Sequence, residues 1–553
     1  MMNRKYIMST ADFITALSMI MSLTACGSSA DAKSENIAIT GAANDADVYY
    51  NGALPETTFA AEDGFSMQSA MGGMINDPQM PAGGIDYNTE EYNSIKENSY
   101  TSVSANPLST FSIDVDTASY TNLRRMITDG YSEIPEGAIR IEEMINYFDY
   151  DYPSPAENEP FSVTAEMTDC PWNEETKLML VGLNAEDIDL EEREPMNIVF
   201  LIDVSGSMRS NDKLPLVQQA FSMLTEELTA KDRISIVTYA GSDRVILEGA
   251  DGNDRVAVLD AINNLEAGGS TAGAAGINTA YDIAEKYFIS GGNNRIVLAT
   301  DGDLNVGISS ESELTSLVEE KRESGVYLSV LGFGSGNIKD NKMEALADNG
   351  NGNYSYIDSE LEARKVLVEE MGGTLFTVAK DVKIQVEFNP AYIKGYRLIG
   401  YENRALAAED FADDTKDAGE IGAGHTVTAL YEIVTVDSPM ELSSSELKYE
   451  NENAGEENGE LLTVSVRYKA PDSDTSTLLE YAVKEDVYSE KMSENLAFAA
   501  SVAQFGLILR NSEYKGTSSC SDILNRLADY DLSADSYKTE FISLVEDRQL
   551  RGY

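Results

Sequence analysis

One stretch, Asn197–Met208 (NIVFLIDVSGSM), constrains this chain more than any other. Ile198–Ile202 is apolar or β-branched at every position, so it predicts a parallel strand buried on both faces. The run stops at Asp203-Val204-Ser205-Gly206-Ser207, one carboxylate and two hydroxyls on alternate residues. Gly206 allows a tight turn, and the amphipathic segment Lys213–Leu228 predicts a helix after it. Oxygen ligands at the carboxyl end of such a strand sit where open α/β sheets bind ligands. Two later stretches complete a candidate site. Gly268–Gly273 (GGSTAG) is a small-residue loop carrying Thr271, and Ile296–Asp301 (IVLATD) is a second buried strand ending in a carboxylate. Hydroxyls and carboxylates are hard ligands that suit Mg²⁺ or Mn²⁺, and no imidazole or thiolate is present to favour zinc.

These three pieces resemble the von Willebrand factor A domain and its metal-ion-dependent adhesion site. The pattern Asp-x-Ser-x-Ser, then Thr, then Asp falls on Asp203, Ser205, Ser207, Thr271 and Asp301. An Asp-x-Ser-x-Ser triplet alone also serves as a turn or helix N-cap; five positions on three strand ends, in order, are far more specific. The resemblance implies that Ser205, Ser207 and Thr271 contact the metal directly while Asp203 and Asp301 orient it through water. Few direct anionic ligands would leave the cation electron-poor, with a position open for an Asp or Glu carboxylate of a protein partner.

Composition narrows the partners. The chain carries 40 basic and 95 acidic residues, a formal charge of −55. Such a chain repels nucleic acid and anionic headgroups, so no nucleic-acid role is expected. A bound divalent cation would invert the charge locally and still admit an acidic side chain. The single histidine, His425, lies in an alternating strand and weighs against Ser/His/Asp or Cys/His catalysis. A hydrolase using the same metal would need a base, and Asp303 and Glu311 are the candidates; the expectation is that the protein is not an enzyme. A structural envelope protein with a purely structural metal is the other alternative.

At the amino terminus, Arg4 and Lys5 precede the apolar stretch Phe13–Leu23 and then Leu23-Thr24-Ala25-Cys26-Gly27. This resembles a bacterial lipoprotein signal peptide, which implies lipidation of Cys26 and attachment to the extracytoplasmic face of a cell membrane. Residues 27–104, rich in Ala, Gly, Ser, Asn and acidic residues, predict a disordered tether reaching about 50 Å. Cys170 and Cys520 make no disulfide framework and are expected free and buried.

From 195 to 375 strand and helix alternate as a parallel sheet requires. Before it, a strand over 111–116 opens a helix over 120–129. There, Asp116 or Thr117 is expected to cap the helix, the alternative being a second cation site at Asp114, Asp116 and Ser119. Strands at 161–167, 177–183 and, after the A domain, from 382 to 483 predict one antiparallel sandwich into which the A domain is inserted. Helices follow from 493, and Leu496–Leu509 reads as a buried helix, too short to span a bilayer. The expected fold is thus a Rossmann-like, doubly wound α/β domain between β-rich flanks, with a helical C-terminal region. The expected boundaries are 1–25, 26–104, 105–194, 195–375, 376–490 and 491–553. NPLSTFSIDVDTASY, RIEEMINYFDYDYP, CPWN and GYENRALAAEDFADDTKDAGEIGAGHTVTALYE further resemble one bacterial family of surface-anchored A-domain lipoproteins. That resemblance implies an N-terminal and a C-terminal module flanking the A domain.

Overall fold

The computed structural model describes residues 90–552 apart from 157–158, 190–192, 270–272, 303–310, 417, 443–454, 456–457, 472 and 474. The signal peptide, Cys26, Thr271, Asp303 and most of the expected tether lie outside the described residues.

The chain opens with β1 (Thr101–Ser102), β2 (Leu108–Ser112), α1 (Ala118–Thr128), α2 (Ile141–Asn146) and the hairpin β3 (Phe161–Asp169)–β4 (Lys177–Ala185). The A domain follows as β5 (Met196–Asp203), α3 (Leu214–Glu226), β6 (Arg233–Tyr239), β7 (Asp243–Asp251), α4 (Arg255–Asn263), α5 (Gly273–Lys286), β8 (Asn293–Thr300), α6 (Glu311–Arg322), β9 (Tyr327–Phe333), α7 (Asp340–Asn349) and β10 (Tyr354–Ile357). Its sheet runs β10-β9-β8-β5-β6-β7, parallel except for the antiparallel edge strand β7. Strand β5 lies mid-sheet with every residue buried, as its unbroken apolar run requires. Pro215 sits in the first turn of α3, where its missing N–H leaves no bond unmade.

The domain closes with α8 (Glu360–Arg364), a π-helical turn (Lys365–Glu369) and α9 (Met371–Leu375). The strand–helix alternation of the sequence predicts one continuous helix over 359–373. The Glu370 N–H instead reaches back five residues to the Lys365 carbonyl, and Gly372-Gly373 weakens the helix beyond.

Beyond it come β11 (Thr377–Phe388), β12 (Ile393–Ile399), β13 (Gly419–Gly422), β14 (Thr426–Thr435), β15 (Glu460–Lys469) and β16 (Ser476–Lys484). They form two sheets, β1-β12-β14-β4-β3 and β13-β11-β15-β16, with β2 paired to β11. Val181 and Tyr431 from the first sheet share one core with Ile384 and Val464 from the second. Strand β4 from before the A domain lies beside β14 from after it, so the two flanks share one sandwich. Helices α10 (Glu494–Leu509), α11 (Cys520–Leu527) and α12 (Ser536–Leu550) end the chain. α10 is buried on all sides against α2 and α12, with Phe498 and Phe505 edge-on to Phe541. Among the described residues no helix is long and apolar enough to cross a membrane.

Three expectations change at the amino-terminal side. Residues 90–104, assigned to the tether, are packed: Val103 is buried, Glu90 pairs with Arg125, and Glu91 bridges to Lys339. The strand expected over 111–116 ends at Ser112, because Asp114 and Asp116 turn away to hold Arg404 at 3.0 and 3.2 Å. Neither Asp116 nor Thr117 caps α1 through its side chain; the Ser119 N–H donates to Glu143 from α2 instead. The cation between Asp114 and Asp116 is therefore a guanidinium.

Glu142, fully buried on α2, has one carboxylate oxygen without a hydrogen-bond partner among the described residues. Burial, reinforced by Glu402 and Asp114 and opposed by Arg510, pushes its carboxyl up to about 7. Its folded pKa thus exceeds its unfolded one, so the folded state binds the extra proton and stability falls as pH rises through this window. Glu142→Gln removes the ionisation. The variant is expected to match the parent near pH 5 and exceed it by on the order of 1 kcal/mol at pH 8, read from denaturation midpoints across that range.

Candidate metal centre

The site forms where β5, β6 and β8 end. Asp203 terminates β5, and its Oδ1 accepts the Ser205 N–H at 2.8 Å, folding the loop back over the strand end. That turn brings the Ser205 and Ser207 hydroxyls to 2.9 Å from each other. The loop is stitched on both sides: Val204 N–H donates to the Tyr239 carbonyl of β6, Gly206 N–H to Gly269, and Gly268 N–H to Val204. Gly206 does not adopt a positive φ, and a Cβ there would meet only the Gly269 carbonyl oxygen, at 3.4 Å, so neither strain nor crowding demands a glycine. Thr271 follows closely on Gly269 but lies outside the described residues, so four of the five expected ligands are placed.

Asp203 is fully buried; its Oδ2 accepts no well-formed hydrogen bond among the described residues, although the Tyr239 hydroxyl is close enough to stabilise the carboxylate. Burial pushes its carboxyl up to about 7, against the stabilising Ser205 N–H and hydroxyl. Asp301, at the end of β8, is equally buried, yet its carboxyl is held below the usual range. Burial works to raise it, but the Lys213 charge and hydrogen bonds from Asn337, Lys213 and Ser207 outweigh that effect. Lys213 Nζ lies 3.0 Å from Asp301 Oδ2 and 2.8 Å from Asn337 Oδ1. Its stem crosses Gly334, which has φ +80° and where a Cβ would come within 2.2 Å of Lys213 Cε. Neither Lys213 nor Asn337 was singled out from the sequence. Lys213 read as the start of a helix, and a lone lysine following the aspartate–serine loop in so acidic a chain was the available signal.

The donors fit a hard divalent cation. Two convergent hydroxyls, a buried carboxylate oxygen without a well-formed hydrogen bond and a second carboxylate paired with Lys213 make a site of low negative charge. Among the described residues no group of three or more His, Cys, Asp or Glu converges as metal ligands; this set relies on hydroxyls. Of the residues named as bases for hydrolysis, Asp303 lies outside the described residues and the side chain of Glu311 is not among those described. His425, expected within a strand, lies immediately before β14 instead, and burial pushes its imidazole down to about 4. Cys170 and Cys520 are free and buried.

The Lys213–Asp301 pair should govern the stability of the metal-free protein. Lys213→Met leaves Asp301 buried without its ammonium, a change expected to cost about 3 kcal/mol. Thermal unfolding in EDTA should show that loss, and Mg²⁺ should raise the melting temperature more for the variant than for the parent. An unchanged transition in EDTA would mean that the pair contributes nothing.

Three family models match along the chain: von Willebrand factor over 86–180, von Willebrand factor type A domain over 197–370, and uncharacterized protein YfbK, C-terminal, over 373–550. Uncharacterized protein YfbK of Escherichia coli (strain K12) is 43% identical over 470 residues, covering 83% of this chain and 81% of that protein. Uncharacterized protein sll0103 of Synechocystis is 29% identical over 186 residues, 33% of this chain and 42% of that one. Among solved structures, a von Willebrand factor type A protein from Catenulispora acidiphila covers 72% of this chain and 91% of its own, at 15% identity and TM-score 0.41. With the type A domain and both flanking modules matched in order, the chain belongs to the bacterial YfbK family of von Willebrand factor A domain proteins.

Proposed function

We propose that this protein binds a protein ligand through a divalent cation, Mg²⁺ or Mn²⁺, held by Asp203, Ser205, Ser207, Thr271 and Asp301. The observation that carries this reading is the fully buried Asp203 carboxylate, met on the Oδ2 side by no well-formed hydrogen bond among the described residues, together with two hydroxyls 2.9 Å apart. An oxygen so buried is costly unless a proton or a cation meets it. When bound, the cation supplies Lewis acidity toward an Asp or Glu carboxylate of the partner. The chain's own residues set that acidity: Lys213 neutralises Asp301, and the hydroxyls contribute no charge. A net positive centre then faces outward from a protein of charge −55.

Location completes the proposal. The stretch Leu23–Cys26 supports a lipid anchor on Cys26 that holds the folded region at the extracytoplasmic membrane face. Cys26→Ser should shift the protein from the membrane to the soluble fraction and abolish incorporation of labelled palmitate. Retention at the membrane without label would overturn the anchor.

The binding function is tested with the full-length protein immobilised in detergent and exposed to cell-envelope and host-surface extracts. Partners should be retained in Mg²⁺, released by EDTA, and absent from Asp203→Ala and Asp301→Ala variants that keep their folded circular dichroism. If the folded variants hold the same partners, the cation is structural and binding lies in the flanking modules.

A further inference from the structure

A cavity of about 510 Å³ adjoins the candidate metal centre, between the β6–β7 sheet edge and the α4–α5 connection. Val204, Gly268 and Gly269, the residues that stitch the first two site loops together, form part of its wall. Ile246 and Leu265 supply apolar surface, and one residue of each charge, Arg244 and Glu266, lines it as well. Arg244 stands opposite Thr238 in the β6–β7 ladder, which places both on one face of the sheet. Ile246 is 41% exposed, a large apolar side chain at the rim of the domain. Arg244 is exposed and makes no ion pair among the described residues, although the chain carries 95 acidic residues. Strand β7 pairs with β6 alone among the described residues, so its outer backbone edge is open.

We infer that this cavity is the specificity pocket of the metal centre. Its occupant is an extended acidic segment of a partner protein. One Asp or Glu of that segment meets the cation, and a large aliphatic or aromatic side chain enters the cavity against Ile246 and Leu265. An extended chain advances about 3.3 Å per residue, so a side chain within three positions of the metal-bound carboxylate reaches an adjoining cavity. Charge selects this occupant. The protein as a whole repels acidic chains, whereas the cation attracts one locally and Arg244 offsets Glu266 in the cavity wall. The inference rests on the binding function proposed above, which it extends from a carboxylate to a two-part motif.

The test uses the full-length protein in detergent and an immobilised library of nine-residue peptides with a fixed central Asp and randomised flanks. In Mg²⁺ the parent should retain peptides bearing Leu, Ile, Phe or Tyr within three positions of the Asp, by about tenfold or more over Gly at the same position. Ile246→Lys, at an exposed site, should keep its melting temperature and its Mg²⁺ dependence but lose the apolar preference. Arg244→Glu should weaken retention of peptides with a second acidic residue. Mg²⁺-dependent retention with no apolar preference, or a preference unchanged in Ile246→Lys, overturns the pocket and leaves the metal-dependent function standing. Failure of the parent to retain any Asp peptide in a Mg²⁺-dependent way overturns both.

Discussion

Buried arginines joined to carboxylates across module boundaries hold this structure together. Arg124 of α1 reaches Asp358 and Glu362 at the start of α8, and Glu540 of α12. Arg140, beside α2, meets Asp340 of α7 at 2.5 Å as well as its own neighbour Glu143. Arg404, in the connection after β12, gathers Asp114, Asp116 and Asp348. Asp340, Glu344 and Asp348 recur every four residues and so form one acidic stripe along α7, which the sandwich and α2 answer with guanidinium groups. Removing one partner from such a buried cluster costs about 3–5 kcal/mol, because the remaining charge cannot be rehydrated.

This clamp leads by a short covalent path to the candidate metal centre. Asn337, which holds Lys213, lies in the β9–α7 connection, and Asp340 opens the helix that follows. The backbone of Gly336 in the same connection donates to Glu90, so the amino-terminal segment also touches this loop. The loop is thus fixed at one end by the clamp and at the other by the Lys213–Asp301 pair. A site built this way is preorganised by neighbouring modules as well as by its own domain.

The acidity of the chain has two separate consequences. Among the described residues most carboxylates are not buried, and they set solubility and repulsion. A smaller set is buried at the module junction, where carboxylates outnumber guanidinium groups. There burial pushes Asp116 and Glu143 well above the usual carboxylate range despite Arg404 and Arg140, and Glu344 and Asp348 shift the same way. Composition alone cannot separate these populations, because an aspartate on α7 and one on a loop contribute the same unit charge.

The sequence by itself determined what local pattern can encode. The unbroken apolar run of β5 required a doubly buried parallel strand, and the abrupt change to Asp203-Val204-Ser205 required a polar site at its end. Strand-forming runs in β4 and β14 announced a sandwich, although the structure buries both strands on both faces, and the mostly apolar Leu496–Leu509 announced a buried helix. Only the tertiary structure decided how distant charges pair. Asp116 looked like a helix-capping residue because capping is a local interaction; its partner Arg404, which it shares with Asp114, lies 288 positions away. Lys213 looked like a helix start, and only the convergence of β8 and the β9–α7 connection on α3 made it the counter-ion of Asp301. Periodicity fixes which face of an element is buried; which ion meets which across that buried face depends on packing between elements that no spacing records.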